Sequence, residues 1–181
     1  MPGIIGTMMP GMTGPPVGVV RSAYDADLPS LNAIYDHYVT TSPVTFDVEP
    51  MSLERRRSWL AERSDGPYRV LVAVDGSSHV VGFASSGPYR TRPAYDTTVM
   101  LSAYVDHEHM GRGIGTVLYG DLIGGLRAFD VHRAVAGITL PNPGSFALHR
   151  RFGFREIGRF TEQGRKFGRY WDVAWYERAL P

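Results

Sequence analysis

The chain has 181 residues, of which 43% are hydrophobic and 20% charged, and its formal net charge is +1. These values exclude a largely disordered chain, and the near-neutral charge gives no general attraction to nucleic acid or to an anionic membrane, so neither is expected as a partner. The absence of cysteine excludes disulfides and cysteine nucleophiles. In chain order, residues 1–16 are rich in Met, Gly and Pro and are predicted to be a flexible extension, with the folded domain over residues 17–181.

In the first half of that domain, the sequence predicts a strand, two helices and a hairpin. Residues 17–23 form the strand, and Asp25 is a plausible N-cap for a helix. Apolar residues recur there at helical spacing, namely Leu28, Leu31, Ile34, Tyr35 and Tyr38. A second helix is predicted to begin at Ser52, with the arginines at 55–57 in solvent. Two β-rich runs meet at Asp75-Gly76, where the glycine is expected to supply the positive φ of a tight turn.

The second half predicts four strands and two helices. A strand covers residues 97–105, and after a glycine-rich loop a helix is marked by Ile114, Leu118, Leu122, Leu126 and Phe129. Residues 133–140 form a buried strand, a short helix follows Asn142 as its cap, and two closing strands begin near residues 154 and 170. The sequence therefore predicts one α/β domain of the α+β type, with about seven strands and about four helices.

The loop between the predicted strand and helix contains Gly111, Gly113 and Gly115. Such a loop presents backbone N–H groups at a helix N-terminus, where the helix dipole also favours an anion. An isolated G-x-G-x-G is more often only a turn, and this one is neither a Walker A loop nor a dinucleotide fingerprint. A phosphate-binding protein of another class stays open at this point.

The surrounding segments give the loop its context. "MGRGIG", residues 110–115, resembles the pyrophosphate loop of the GCN5-related N-acetyltransferase superfamily, although Met110 replaces the usual Gln or Arg. The resemblance narrows to the phosphinothricin and methionine sulfoximine acetyltransferases and covers residues 19–180. It is carried by "IYDHYVTTSPVTF", "GPYRTRPAYD", "SAYVDHEHMGRGIGTVLY", "LPNPGSFALHRRFGF" and "GRKFGRYWDVAWYE". It implies a central twisted, mixed and mostly antiparallel sheet, a cytoplasmic location and a homodimer.

The resemblance implies acetyl-CoA as co-substrate, no metal, and a small amine or amino acid as acceptor. Backbone N–H groups near Ala103 to Val105, where the strand pairing splays, would hold the oxyanion. The residues expected to bind the co-substrate are Ala103, Tyr104, Val105, Met110, Gly111, Arg112, Gly113, Ile114, Gly115, Thr116, Asn142 and Ser145. Two neighbouring histidines, His107 and His109, are too weak a pattern to predict a metal site.

His149 occupies the position where the subfamily carries a histidine beside the CoA sulfur, and the resemblance makes it the candidate acid. Arg90 and Arg92 fall where the subfamily holds the carboxylate or phosphinate of its substrate, a task that suits the planar guanidinium. Without the resemblance, all three side chains would be read as ordinary surface residues. Phe46 and Tyr95 are possible pocket walls, as are Lys166, Tyr170 and Trp171.

Met100 stands where the subfamily has a glutamate that is thought to act as general base, and a thioether cannot accept a proton. Three hypotheses follow. In the first, another base serves, with Asp96, Glu49 and Tyr104 as candidates and Tyr104 assigned to the catalytic site, or the substrate arrives partly deprotonated. Alternatively, Met100 lines an apolar substrate pocket for a different amine. In the third hypothesis the chain binds acetyl-CoA with weak or no catalysis.

Overall fold

The computed structural model describes residues 18–180 as a single domain, and the predicted extension at residues 1–16 lies outside them. Within this range each helix is too short or too polar to cross a membrane. The strands are β1 Val19–Ser22, β2 Val70–Val74, β3 Val80–Pro88, β4 Thr98–Val105, β5 Arg133–Thr139, β6 Arg155–Lys166 and β7 Arg169–Ala179. The helices are α1 Leu28–Thr41, α2 Leu53–Ala61, α3 Ile114–Leu126 and α4 Pro143–Arg151. The predicted architecture of seven strands and four helices is confirmed.

The seven strands form one open sheet in the order β1-β2-β3-β4-β5-β7-β6. β4 and β5 pair in parallel, whereas every other pairing among the described strands is antiparallel. The helices cover both faces of the sheet. On one face Leu118, Leu122 and other apolar side chains of α3 are buried against β3 and β4, and on the other face Leu28 and Leu31 of α1 pack with α2 against β2 and β3.

The predicted cap Asn142 is confirmed by its hydrogen bond, and Ser52, where the second helix is predicted to begin, is the cap of α2. The Ser52 hydroxyl accepts from the Arg55 N–H at 3.2 Å at the start of α2, and Asn142 Oδ1 accepts from the Ser145 N–H at 3.0 Å at the start of α4. Each side chain satisfies a backbone donor that has no partner inside the first turn of its helix. The cap of α4 therefore fixes the start of the helix that carries His149.

Three local expectations are wrong. Asp25 does not cap α1, because residues 25–27 form a 3-10 turn and the helix begins at Leu28. In the β2–β3 turn the residue with positive φ is Ser78, at 67°, rather than Gly76. α3 ends at Leu126, before Phe129, which is 37% exposed.

The arginines of α2 do not all face solvent as expected, since Arg56 is only 2% exposed. Its Nε donates to Asn32 Oδ1 at 2.7 Å, and its guanidinium lies against the rings of Tyr35 and Trp59. Burial lowers the pKa of this guanidinium. Arg56 is thus a packing residue between α1 and α2, enclosed by aromatic faces that favour a cation.

The strands β4 and β5 separate partway along their length. Their parallel pairing runs from Thr98–Arg133 only to Met100–Val135. Beyond that point β4 follows β3 as far as Val105, and β5 follows β7 as far as Thr139. Because each strand keeps its antiparallel neighbour, the sheet opens between them.

Candidate active site

The opening between β4 and β5 is a cleft of about 630 Å³, a volume usual for a small-molecule site. Its walls are residues 101–105 of β4 and 136–139 of β5. The loop before α3 and the first two turns of α4 close its sides. The cleft therefore brings together the glycine loop, the splayed edge of β4 and the helix that carries His149.

Two amides of β4 point into the cleft. The Asp106 N–H donates to Val81 O at 2.9 Å, and since N–H groups alternate along a strand, those of Tyr104 and Ser102 also face β3. The N–H groups of Ala103 and Val105 consequently face the side that β5 has left. Of the three residues expected to hold an oxyanion, Ala103 and Val105 present backbone donors to the opening, whereas the N–H of Tyr104 faces β3.

The glycine loop has the geometry of an anion cradle. Gly111 and Gly113 have φ values of 75° and 77°, a left-handed conformation that side chains with a Cβ rarely adopt, and Gly113 is the N-cap of α3. Within residues 18–180, the amides from Gly111 to Gly115 donate to no acceptor. Successive free donors at a helix N-terminus fit the pyrophosphate of a CoA-type molecule.

The side chains of the loop play a smaller part in this cradle. Met110 is 59% exposed, with its sulfur 3.7 Å from the Tyr38 hydroxyl. Arg112 donates to Glu108 O at 3.1 Å, and its side chain does not line the cleft. A Cβ on Gly115 would touch the Leu148 side chain at 3.5 Å. The loop therefore offers its main chain to a ligand, so the replacement of Gln or Arg by Met110 leaves the cradle in place.

His149 lies on the cleft wall and is only 4% exposed. Its Nδ1–H donates to Ser145 O at 2.7 Å, one helical turn back, and Nε2 then accepts from the Tyr119 hydroxyl at 3.0 Å. Burial lowers the pKa of His149, an effect that the bond to Ser145 only partly offsets. The imidazole is therefore neutral at pH 7, and the proton nearest the cleft is that of Tyr119, which is fully buried.

Tyr104 extends from the opposite face of β4 into a group of hydroxyls. Tyr35 donates to Asp47 Oδ2 at 2.8 Å, and the Thr45 hydroxyl lies 2.6 Å from the Tyr35 oxygen. Burial raises the pKa of Tyr104 to about 12, although the neighbouring hydroxyls of Thr45 and Tyr35 act to lower it. Lys166 is buried and donates to Thr45 O at 2.7 Å, so it holds this loop rather than lining the cleft.

The expected substrate residues lie outside the cleft walls. Arg90 stacks over Tyr89 at 5.0 Å, near the exposed Tyr95, and Arg92 precedes a short 3-10 turn in the same exposed loop between β3 and β4. Phe46 packs over Gly164. Met100 faces the same side of β4 as Tyr104, at the last paired position before the strands separate.

The neighbouring histidines do not form a metal site with other side chains of the described range. The ring of His107 stacks on His37 of α1 at 3.9 Å, and His109 lies 3.5 Å from Asp106. The two other candidate bases, Asp96 and Glu49, are exposed. Neither of them lines the cleft.

The glycine loop adopts a left-handed conformation at the start of α3 and lies beside two strands that separate. This arrangement defines a transferase site for an elongated, phosphate-bearing co-substrate. Residues 31–154 match the acetyltransferase (GNAT) family. The chain belongs to this family, and it is an N-acetyltransferase.

The individual relatives of the chain are also acetyltransferases. The chain is 53% identical over 163 residues to a phosphinothricin N-acetyltransferase of Streptomyces coelicolor, covering 89% of this chain and 95% of that protein. It is 37% identical to an L-methionine sulfoximine/L-methionine sulfone acetyltransferase of Pseudomonas paraeruginosa, covering 89% and 94%. A phosphinothricin acetyltransferase from Sinorhizobium meliloti, solved in complex with AcCoA, superimposes with a TM-score of 0.87 at 33% identity, covering 91% and 89%.

The sequence alone does not predict several residues of the cleft. Tyr119 reads as one more apolar position of α3, and only its contact with His149, 30 residues away, shows that its hydroxyl reaches the cleft. Gly137 and Thr139 read as plain strand, yet their backbone groups face the opening, because the alternate residue Leu140 bonds to Asp172 of β7. The glycine at position 137 was the one signal in the sequence that a ligand or another backbone approaches this strand closely.

Proposed function

We propose that this chain transfers acetyl from acetyl-CoA to the amino group of a small amino-acid-like substrate of the phosphinothricin or methionine sulfoximine type. The observation that carries the proposal is the opened β4–β5 edge beside the left-handed glycine loop. When bound, acetyl-CoA supplies an activated acetyl group as a thioester. The amides of residues 111–115 hold the pyrophosphate, and those of Ala103 and Val105 face the position of the carbonyl oxygen.

The remaining co-substrate roles follow from positions in the cleft, and the substrate roles, whose residues lie outside its walls, follow from the resemblance to the subfamily. Asn142 and Ser145 begin α4 on its wall, beside the path of the pantetheine arm. The Tyr119 hydroxyl, positioned by His149, turns its one proton from His149 Nε2 to the leaving sulfur as charge develops there; a thiol with a reference pKa of about 8.5 needs little further help. Arg90 and Arg92 receive the acid group of the substrate, with Phe46, Tyr95 and Met100 around its side chain.

Thiol release from acetyl-CoA tests the proposal directly. Purified protein is mixed with acetyl-CoA and phosphinothricin, methionine sulfoximine, methionine sulfone or a simple amine. We expect turnover with at least one amino-acid-like substrate, and thiol release no faster than in buffer with every amine contradicts the proposal.

Met100 favours a second candidate, an acetyl-CoA-binding module with weak or no catalysis. That candidate requires tight binding by calorimetry, no turnover, and no new activity in Met100→Glu. Our proposal differs in requiring turnover by the unaltered chain, because positioning and oxyanion stabilisation act without a glutamate.

We also propose a cytoplasmic homodimer. The co-substrate is a cytoplasmic metabolite, and β6 leaves Phe160 and Ile157 exposed at the edge of the sheet, where a second copy can cover them. Light scattering should give about twice the chain mass of 20.0 kDa. A monomeric mass at micromolar concentration contradicts the dimer.

Arg92→Ala tests the substrate assignment. We expect the KM of carboxylate-bearing substrates to rise about 10-fold or more, since an exposed guanidinium that binds a carboxylate contributes on the order of 1.5–3 kcal/mol. The KM of uncharged amines should be the same in Arg92→Ala as in the unaltered protein. Initial-rate kinetics with one substrate of each class distinguish the two, and an equal response of both classes shows that Arg92 does not bind the carboxylate.

A further inference from the structure

The face of α4 that lines the cleft ends in a positive charge. Four of its residues line the cleft at helical spacing, namely Gly144, Ala147, Leu148 and Arg151. The first two are small and leave room for a ligand beside the helix, whereas Arg151 lies in the last turn and is exposed. The wall of the cleft therefore changes from small side chains near the start of α4 to a guanidinium at the rim.

Arg151 is the one permanently charged side chain in the wall of the cleft, within the part of the chain that the structure describes. His109 is the other side chain of the wall that can carry a positive charge, and its Nδ1 lies 3.5 Å from Asp106 Oδ1. None of the ion pairs between residues 18 and 180 involves Arg151. Because a guanidinium stays protonated at any ordinary pH, Arg151 is a cation beside the cleft without a carboxylate partner among these residues.

The packing of α4 on α3 places Arg151 next to the glycine loop. A Cβ on Gly115 would meet the Leu148 side chain at 3.5 Å, so the first turn of α3 lies against Leu148. Arg151 follows Leu148 on the same face of α4, three residues or about 4.5 Å further along the helix axis. Arg151 therefore lies just beyond the loop, on the side away from the Asn142 cap.

A CoA thioester carries a phosphate group that the glycine loop does not account for. The free amides of residues 111–115 suit the pyrophosphate in the middle of the molecule. A second group, the monophosphate on the ribose 3′ oxygen, lies at the end away from the thioester and carries up to two negative charges at pH 7. A guanidinium at the rim of the cleft suits this group, because its planar fork can donate two parallel N–H···O bonds to a phosphate.

We propose that Arg151 binds the 3′-phosphate of the CoA moiety and makes the chain specific for CoA thioesters. This inference rests on the proposed function, in which acetyl-CoA occupies the cleft. Arg151 determines which donor binds and takes no part in acetyl transfer, because the 3′-phosphate is remote from the thioester. Acetyl groups carried on pantetheine or on 3′-dephospho-CoA lack the group that Arg151 recognises, and they are expected to be poorer donors.

Calorimetric titration with CoA and with 3′-dephospho-CoA tests the proposal, and Arg150→Ala is the matched control. Arg150 lies in the same last turn of α4, is exposed and carries the same charge towards the helix C-terminus, but it does not line the cleft. We expect the unaltered protein to bind CoA about 10-fold more tightly than 3′-dephospho-CoA, the effect of one exposed charge-assisted pair. Arg151→Ala should bind the two molecules alike. Arg150→Ala should keep the full preference for CoA, and Arg151→Lys should keep part of it.

Three results overturn the role of Arg151: no preference for CoA in the unaltered protein, a preference that Arg151→Ala retains, and an equal weakening of both molecules by Arg151→Ala. In the last case the guanidinium acts on the pyrophosphate or on the fold. Each of these results leaves the acetyltransferase proposal intact, because thiol release by the unaltered protein measures acetyl transfer separately. An unaltered protein that binds neither CoA nor 3′-dephospho-CoA overturns the acetyltransferase proposal, and the role of Arg151 with it.

Discussion

Gly113→Val is expected to weaken acetyl-CoA binding about 100-fold or more. Gly113 is the N-cap of α3 with a φ of 77°, so a β-branched side chain is strained there by on the order of 1–3 kcal/mol. Relief of that strain turns the amides of the loop away from a common point. Several charge-assisted hydrogen bonds to the pyrophosphate are then lost together, each contributing on the order of 1.5–3 kcal/mol. Calorimetric titration with acetyl-CoA measures the change.

Gly168→Val is the matched control for this effect. Gly168 lies in the β6–β7 turn with a φ of 75°, and a Cβ there meets no atom within 4 Å. Both variants should lose a similar free energy of unfolding, but Gly168→Val should bind acetyl-CoA like the unaltered protein. Comparable binding by Gly113→Val and Gly168→Val would show that the loop does not hold the pyrophosphate.

The loop and the sheet could be predicted from the sequence because their signals are local. Apolar periodicity places α3 and its neighbours, and the caps Ser52 and Asn142 lie within three residues of the donors they satisfy. The resemblance to known acetyltransferases supplies the mixed, mostly antiparallel sheet and the splay of the fourth strand near Ala103 to Val105. Each of these features depends on residues that are close in the chain or on a pattern shared along it.

The features that the sequence does not predict depend on distant partners. The arginine run of α2 looks uniformly solvated, yet Arg56 is buried, and Asn32, 24 residues earlier, accepts a hydrogen bond from its Nε–H. Lys166 bonds to a carbonyl 121 residues away. Asp47 reads as a loop carboxylate, and only the packing of α1 against β4 brings Tyr35 between Asp47 and Tyr104. No periodicity encodes such contacts.

His149→Ala is expected to lower kcat about 100-fold and to change the Kd for acetyl-CoA less than about 3-fold. The amides that bind the pyrophosphate lie on the loop before α3 and stay in place. The Tyr119 hydroxyl, however, loses the His149 acceptor that orients it, so it no longer keeps the position from which we propose that it serves the sulfur. Steady-state kinetics and calorimetry give the two values separately.

Tyr119→Phe decides what His149 contributes. This variant keeps the ring, its packing against Phe152 and the neutral imidazole, and it removes only the hydroxyl. If His149 acts by orienting that hydroxyl, Tyr119→Phe should lower kcat nearly as much as His149→Ala, and the double variant should lose little more. If kcat survives in Tyr119→Phe and falls in His149→Ala, the imidazole itself serves the leaving sulfur. The lowered pKa of His149 argues against that outcome, because a neutral ring with Nδ1–H bound to Ser145 has no second proton to offer.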